Sequence, residues 1–372
     1  MASTRRTFLK AAAAAAGQGI LFPLSRALAQ ELTFDSRTMK EAYFYKTLGG
    51  GSVQCLTCPH TCLITPDYRG KCGTKVNLGG KLYSISYANP CSLNVDPVEK
   101  KPMHHFLPGS KAFSLAVAGC NFTCLNCQNW EISQTTPDKT RNYYKPPETI
   151  VAHAKKYGCK SIAYTYTEAT TYYEYMLDTA KTAREQGIKN ILVSNAYIRP
   201  EPARRLSKYI DGAALNLKSL SDKIYMELNG GHLAPVQEAI KIYKDNGVWV
   251  EVIHLVVPTY TDNLDVIRRV AGWVAENLGA ETPFQLSRFH PNYRLVHLAA
   301  TPVAFMKQAG EAAEQEGLKH VYLGNIPGVN NPVQCPSCHK TVVKRRGYYL
   351  EYDGVENGCC PFCRTPIQGV WS

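Results

Sequence analysis

No stretch of the chain offers the roughly 20 uninterrupted apolar residues that a membrane-spanning helix needs. The apolar run from Ala11 to Phe22 is interrupted by Gln18 and closed by Pro23, so a stable membrane anchor is not expected. Long runs of lysine and arginine are missing too. The short ones, such as Lys344-Arg345-Arg346, favour a solvated surface over nucleic-acid binding. Charged residues make up 19% of the 372 residues and hydrophobic ones 45%, which supports a buried core and excludes disorder as the default. At this length one large α/β domain with smaller appendages is the expected scale.

The first residues, Ser3-Thr4-Arg5-Arg6-Thr7-Phe8-Leu9-Lys10, form a twin-arginine sequence, followed by the apolar run and by Ala27-Leu28-Ala29 before Gln30. This is the pattern of a twin-arginine export signal with a small-residue cleavage site. Residues 1–29 are therefore set apart from the fold. The expected destination is periplasmic or extracytoplasmic, with a cytoplasmic location as the alternative. The leader holds Arg5, Arg6, Lys10 and Arg26 and no acid, so the remaining chain carries 38 basic and 30 acidic residues.

Fourteen cysteines in an exported chain would ordinarily suggest disulfides. Their spacing argues for metals. They fall into the local groups Cys55, Cys58, Cys62 and Cys72; Cys120, Cys124 and Cys127; and Cys335, Cys338, Cys359, Cys360 and Cys363, leaving Cys91 and Cys159 apart. Repeated C-x-x-C spacing converges sulfurs on one point, as a metal requires.

Between Lys111 and Leu323, short β-branched or aromatic runs alternate with helical patterns, the signature of βα units. Strands are expected over Ala112 to Ala118, Ser161 to Thr167, Asn190 to Ser194, Gly212 to Leu217, Val248 to Val256, Phe284 to Ser287 and His320 to Leu323, with helices between them. Six or seven such repeats suit a barrel or partial barrel; an open doubly wound sheet is the alternative. Residues 30–110 read as a small Cys-rich module and residues 111–328 as the α/β core. Residues 329–372 are too short to bury a core of their own without a staple.

In Gly119-Cys120-Asn121-Phe122-Thr123-Cys124-Leu125-Asn126-Cys127, three thiols follow a hydrophobic strand without a fourth. A [4Fe-4S] cube takes one ligand per iron, so three thiolates leave one iron for an external ligand. A Cys₃His zinc site is the structural alternative. The spacing C-x-x-x-C-x-x-C resembles the defining motif of radical S-adenosylmethionine (SAM) enzymes. In that superfamily SAM fills the open iron position, and one-electron cleavage of its sulfonium yields a 5′-deoxyadenosyl radical that abstracts hydrogen.

The strings LTCPHTCLI, GKCGTKVNLGGKLYS, NPCSLNVDPVEKKP, AGCNFTCLNCQNWEISQ, GGHLAPV, LSRFHP and VYLGN, in this order, resemble the AmmeMemoRadiSam-system radical SAM enzymes, themselves similar to pyruvate formate-lyase activating enzymes. That resemblance implies a partial (β/α)6 TIM-type barrel with the cluster in the loop after its first strand. It also implies SAM-contacting roles at four positions. Glu168 would pair with the SAM ammonium, Asn195 would reach the cofactor from the third strand, Lys218 would face the SAM carboxylate, and His290 would contact the adenosyl portion. Asn216, Asn126 and Ala169 depart from the family pattern, which has an aspartate, an aromatic residue and a proline there.

Cys335-Pro336-Ser337-Cys338 and Cys360-Pro361-Phe362-Cys363 flank a hairpin-like stretch, as in a zinc ribbon or rubredoxin-like site. Zinc is expected, with iron as the alternative, and adjacent Cys359 competes with Cys360 as a ligand. Cys55, Cys58, Cys62 and Cys72 suit zinc or an iron-sulfur cluster, with disulfides as the alternative. No strand end is evidently beside them, so a structural role is expected. The leading functional expectation is a radical SAM enzyme served by a reductant protein and acting on a protein or small-molecule substrate. The alternative is an exported iron-sulfur or metal-binding electron-transfer protein that has lost SAM catalysis.

Overall fold

The structure, a computed structural model, describes residues 34–372; the expected twin-arginine leader, residues 1–29, lies outside the described residues. Eight strands make the central sheet. At one edge β1 (Ser92–Pro97) runs antiparallel to β2 (Lys111–Ala116). From β2 the sheet continues through β3 (Ser161–Tyr164), β4 (Lys189–Ser194), β5 (Gly212–Asn216), β6 (Trp249–Val256), β7 (Phe284–Arg288) and β8 (Val321–Gly324), all parallel and in chain order. A doubly wound sheet reverses its strand order at a switch point. No reversal occurs here, so that alternative is overturned. The order is the sequential one of βα barrels, with six βα units and one further parallel strand.

The crossovers are α1 (Pro147–Lys156), α2 (Tyr173–Glu185), α3 (Pro200–Ser207), α4 (Leu233–Asp245), α5 (Leu264–Leu278) and α6 (Val303–Gln315). Their starts follow local chemistry. Proline opens α1 and α3, where its missing N–H costs nothing, and the Asn263 side chain accepts from Asp265 N at the start of α5. None of the helices among the described residues is long and apolar enough to cross a membrane.

Strand alternation sorts the core into two faces. Phe113, Leu115, Ile162, Tyr164, Leu192, Val250 and Val252 point into the helix layer. The opposite face carries Ala112, Ala163, Ile191, Ala214 and Ile253, and its small side chains admit Met103, Phe106 and Leu107 from the segment before β2. Each such buried side chain contributes about 1.5–3 kcal/mol by leaving water.

Two small antiparallel sheets precede β1. One pairs Lys40–Glu41 and Lys75–Leu78 with Lys81–Ser84; the other pairs Tyr45–Thr47 and Leu63–Ile64 with Val53–Cys55. A buried ion pair, Lys75 with Glu174, ties the first sheet to α2. After β8, strands Val333–Gln334, Thr341–Arg346 and Tyr349–Asp353 form a third small sheet. Buried Arg345 anchors it to the segment before β2, with Nε 3.3 Å from Glu99 and Nη2 donating to the His104 carbonyl at 2.6 Å. Removing one partner from such a pair strands a buried charge.

Candidate functional site

Cys120, Cys124 and Cys127 lie on the loop leaving the C-terminal end of β2, the end at which βα barrels place their chemistry. Gly119 makes that turn at φ +110°, and a Cβ there would stand 2.7 Å from the Cys72 carbonyl oxygen and 2.7 Å from Thr74 Cγ2, so only glycine fits. Beyond it the loop is clamped by the π-helical turn Tyr225–Asn229. Thr123 N donates to the Asn229 carbonyl at 2.8 Å and Leu125 N to the Leu228 carbonyl at 2.9 Å. The Asn229 side chain donates from Nδ2 to Cys124 Sγ at 3.2 Å, and Phe122 N approaches Cys120 Sγ at 3.4 Å.

Burial, then Cys124, then Glu168 push the Cys120 thiol well above its ordinary pKa. Cys127 is raised by burial and by Cys124. Three thiols held this close resist becoming three thiolates unless a cationic centre takes them. Three sulfurs, two of which already receive N–H donors, with no fourth cysteine in the loop, therefore suit a [4Fe-4S] cube left open at one iron.

The other expected residues stand at the C-terminal ends of the following strands, and most of them join the cluster loop. Glu168, after β3, is buried and accepts four donors: Thr170 N at 2.9 Å, Thr170 Oγ1 at 2.7 Å, Ser194 Oγ at 2.8 Å and Asn195 N at 2.8 Å. Burial still raises its pKa above the usual carboxylate value, against those donors. Three of those donors meet Oε1 and one meets Oε2, so Oε2 keeps an acceptor site. Glu168 thus braces the ends of β3 and β4, and its influence on Cys120 is through charge.

Asn195 Nδ2 donates to Asn121 Oδ1 of the cluster loop at 2.9 Å. Asn216 Nδ2 donates to the Ser194 carbonyl at 3.1 Å, and its Oδ1 lies 3.4 Å from Lys218 Nζ. Lys218 N in turn donates to Tyr225 Oη at 3.0 Å, and its cation acts on the Cys127 thiol. Asn126 is buried with Oδ1 lacking a protein partner. His290 stands apart from this chain of contacts: its ring Nε2 meets the Asn325 carbonyl at 3.0 Å, linking the segments after β7 and β8.

Asn229, Asn121 and Tyr225 were invisible as site residues in the sequence. The one signal was that Asn229 immediately precedes Gly230-Gly231 of the string GGHLAPV. A second unforeseen group adjoins the rim. Buried Lys101 donates to Asp96 of β1 at 2.7 Å and lies 4.3 Å from the ring of Tyr166, whose carbonyl accepts from Asn129 at 2.8 Å.

Among the described residues, Cys335, Cys338, Cys360 and Cys363 bring their sulfurs within 4.8 Å of one another. Two of the separations are 3.5 Å, Cys335 to Cys363, and 3.7 Å, Cys338 to Cys360. Tetrahedral thiolates at ~2.3 Å from one zinc stand roughly 3.8 Å apart, so the set fits a single metal ion. Cys359 spends its backbone on Glu356 and stands outside the set, which settles the ligand choice for Cys360. The group packs with Tyr322, Val333 and Val342, away from the cluster loop.

The N-terminal cysteines do lie beside a strand end, contrary to the expectation from sequence. The Cys72 carbonyl packs on Gly119, and His60 Nε2 donates to the Asn121 carbonyl at 2.7 Å.

The model of the radical SAM superfamily matches residues 115–270, from β2 into the first half of α5. The chain is 44% identical over 336 residues to the uncharacterized protein MJ0808 of Methanocaldococcus jannaschii, covering 89% of this chain and 100% of that protein. It is 23% identical over 175 residues to the pyruvate formate-lyase-activating enzyme of Clostridium pasteurianum, covering 46% of this chain and 72% of that enzyme. Among solved structures, Streptococcus suis SuiB bound to S-adenosylmethionine aligns at 19% identity with a TM-score of 0.46, covering 61% of this chain and 52% of that one.

Proposed function

The chain belongs to the radical SAM superfamily and is a full-length relative of the M. jannaschii protein, and from this premise we propose that it cleaves S-adenosylmethionine reductively to abstract hydrogen from a substrate. The observation that carries the reading is the loop after β2, where three half-buried thiols, two of them receiving N–H donors, stand without a fourth. Bound there, the cluster and SAM supply one-electron cleavage of a sulfonium to a 5′-deoxyadenosyl radical.

The chain's own residues hold and tune. Asn229 Nδ2 and Phe122 N lower the electron density on two ligating sulfurs. Lys218 supplies the cation for a carboxylate, and unpartnered Asn126 Oδ1 is an acceptor available to a ligand. Glu168, held by four donors, keeps the ends of β3 and β4 in register under that ligand, and its Oε2, with one donor, has an acceptor site for the SAM ammonium. Similarity to the activating enzymes favours glycyl-radical formation on a protein partner, with a small-molecule substrate as the alternative. A low-potential reductant protein is required in either case.

The test is anaerobic reconstitution of the full chain, reduction, and addition of SAM. The expected product is 5′-deoxyadenosine, lost in Cys124→Ala; a fully loaded cluster that yields none overturns the enzyme reading. The four-sulfur site near the C-terminus is proposed to hold structural zinc, and metal analysis after purification without added iron checks this against iron. Export through the twin-arginine machinery is a separate proposal resting on Arg5 and Arg6. A reporter fused to residues 1–35 and retained inside the cell to the same extent as its Arg5→Lys/Arg6→Lys control rejects it.

A further inference from the structure

We propose that Cys55, Cys58, Cys62 and Cys72 hold a second [4Fe-4S] cluster that passes electrons one at a time to the cluster on the β2 loop, an inference that rests on the radical SAM reading of that loop.

The local fold gathers the four thiols from two turns. Cys55 ends the strand Val53–Cys55 and its N–H donates to the Cys62 carbonyl at 2.9 Å, so the chain from Cys55 to Cys62 is a closed knuckle with Cys58 inside it. Cys72 enters from a second turn, fixed by Gly70 N to the Lys75 carbonyl at 2.9 Å and Gly73 N to the Gly70 carbonyl at 2.9 Å. The two turns meet: a Cβ on Gly70 would lie 3.8 Å from Cys62 Sγ. Lys71 N donates to Cys62 Sγ at 3.5 Å, and the Thr74 hydroxyl lies 3.2 Å from Cys72 Sγ. The Thr74 hydroxyl gives its proton to the Thr171 carbonyl at 2.7 Å, so Lys71 N is the donor to sulfur, a means by which proteins tune iron-sulfur clusters.

Spacing selects the kind of metal. The thiols near the C-terminus converge within 4.8 Å, as one tetrahedral ion demands, whereas among the described residues no three sulfurs of the N-terminal four come that close together. A cube spreads its thiolates roughly 6 Å apart because each caps a different iron.

Placement selects the role. The Cys72 carbonyl lies against Gly119, the residue before Cys120. His60, two residues after Cys58, donates to the carbonyl of Asn121, the residue after Cys120. Lys71 Nζ reaches the Gly230 carbonyl at 3.1 Å, beside the turn that clamps the loop. One ligand of the N-terminal site and a histidine of its knuckle thus touch the backbone of the other site at two points. Cys62 is partly open to solvent next to exposed Lys71, which gives an outer edge where a reductant can dock.

The electron count closes. A low-potential one-electron protein donor is oxidised as the N-terminal cube goes from its 2+ to its 1+ state. That electron moves to the loop cube, and from there to the SAM sulfonium, where the sulfur–C5′ bond breaks into methionine and the 5′-deoxyadenosyl radical. Both cubes end at 2+.

The experiment uses the full chain, reconstituted anaerobically with iron and sulfide, then reduced with dithionite and freed of excess reductant. Acid-labile sulfide ignores zinc or iron held by four thiolates alone, so it counts cubes. Roughly eight sulfides per chain are expected, falling to about four in Cys58→Ser and in Cys72→Ser. On addition of SAM the reduced protein is expected to give about two equivalents of 5′-deoxyadenosine, one per stored electron, and Cys58→Ser about one. About four sulfides in the unaltered protein, or no loss in either variant, overturns the second cluster. Eight sulfides with only one equivalent of product overturns the relay. Eight sulfides with no product sinks the radical SAM reading and leaves the second cluster standing.

Discussion

Replacing Gly231 with alanine sets a methyl carbon 2.2 Å from Phe122 Cε1 and 3.0 Å from Cδ1 and Cζ. Carbon atoms rest at about 3.5–4.0 Å, so the ring must retreat by more than 1 Å. It has nowhere to go: Phe122 is 1% exposed, its ring centroid is 4.8 Å from that of Tyr197 and 6.2 Å from that of Tyr225, and its backbone sits between two cluster cysteines. Overpacking of this kind costs about 1–3 kcal/mol, and the confinement argues for the upper end. Urea denaturation of the metal-free protein should show a loss of about 3 kcal/mol for Gly231→Ala, with the β2 loop also binding less iron. Phe122→Leu makes room, so the double variant should recover about 2 kcal/mol relative to the sum of the singles. A single variant within about 0.5 kcal/mol of the parent, the range of an ordinary surface substitution, would refute the claim that Gly231 is kept small for the loop.

Asn229→Leu keeps roughly the side-chain shape and removes the donor to Cys124 Sγ. N–H donors favour the more negative reduced cluster, so its potential should fall by about 40–60 mV if the bond favours that state by about 1–1.4 kcal/mol. Redox titration of the SAM-responsive signal checks it, and an unchanged potential denies the contact. Cys360→Ser should release the metal of the C-terminal group while Cys359→Ser retains it, read by metal analysis. His254 is fully buried, bonds the Leu217 carbonyl through Nδ1 at 3.0 Å, and is held down to about 4, chiefly by burial. Its unfolded value is near 6.5, so between pH 6.5 and 4 the unfolded chain takes up the proton first and stability falls as pH falls. The loss is about 3 kcal/mol; urea unfolding of the metal-free protein across that range should show a shallower fall in His254→Gln, and an equal slope would deny the assignment.

The parallel strands were legible because both their faces are buried, which leaves continuous apolar runs such as Ser161–Tyr164 between turn residues. Strand β1 was not: its polar, partly exposed sequence ends in Pro97 and reads as loop, and only pairing with β2 makes it a strand. Helix α2 starts only at Tyr173, because the Glu168 carboxylate accepts from Thr170 N and opens a 3-10 turn first. The cluster thiols were legible because their spacing is local. Asn229 was not, since it meets Cys124 across 105 residues and no local pattern marks it. Cys359 and Cys360 differ by one position, so choosing between them needed the direction of the chain.

The segment that fills the alanine-lined face has a consequence for synthesis. Its backbone is completed from the far end of the sequence: Leu107 N donates to the Val370 carbonyl at 2.6 Å and Val370 N to the His105 carbonyl at 2.7 Å. A ribosome makes residue 107 long before residue 370. Until residue 370 is made the plug at the strand starts therefore lacks its cover, and the nascent chain carries an unsealed floor.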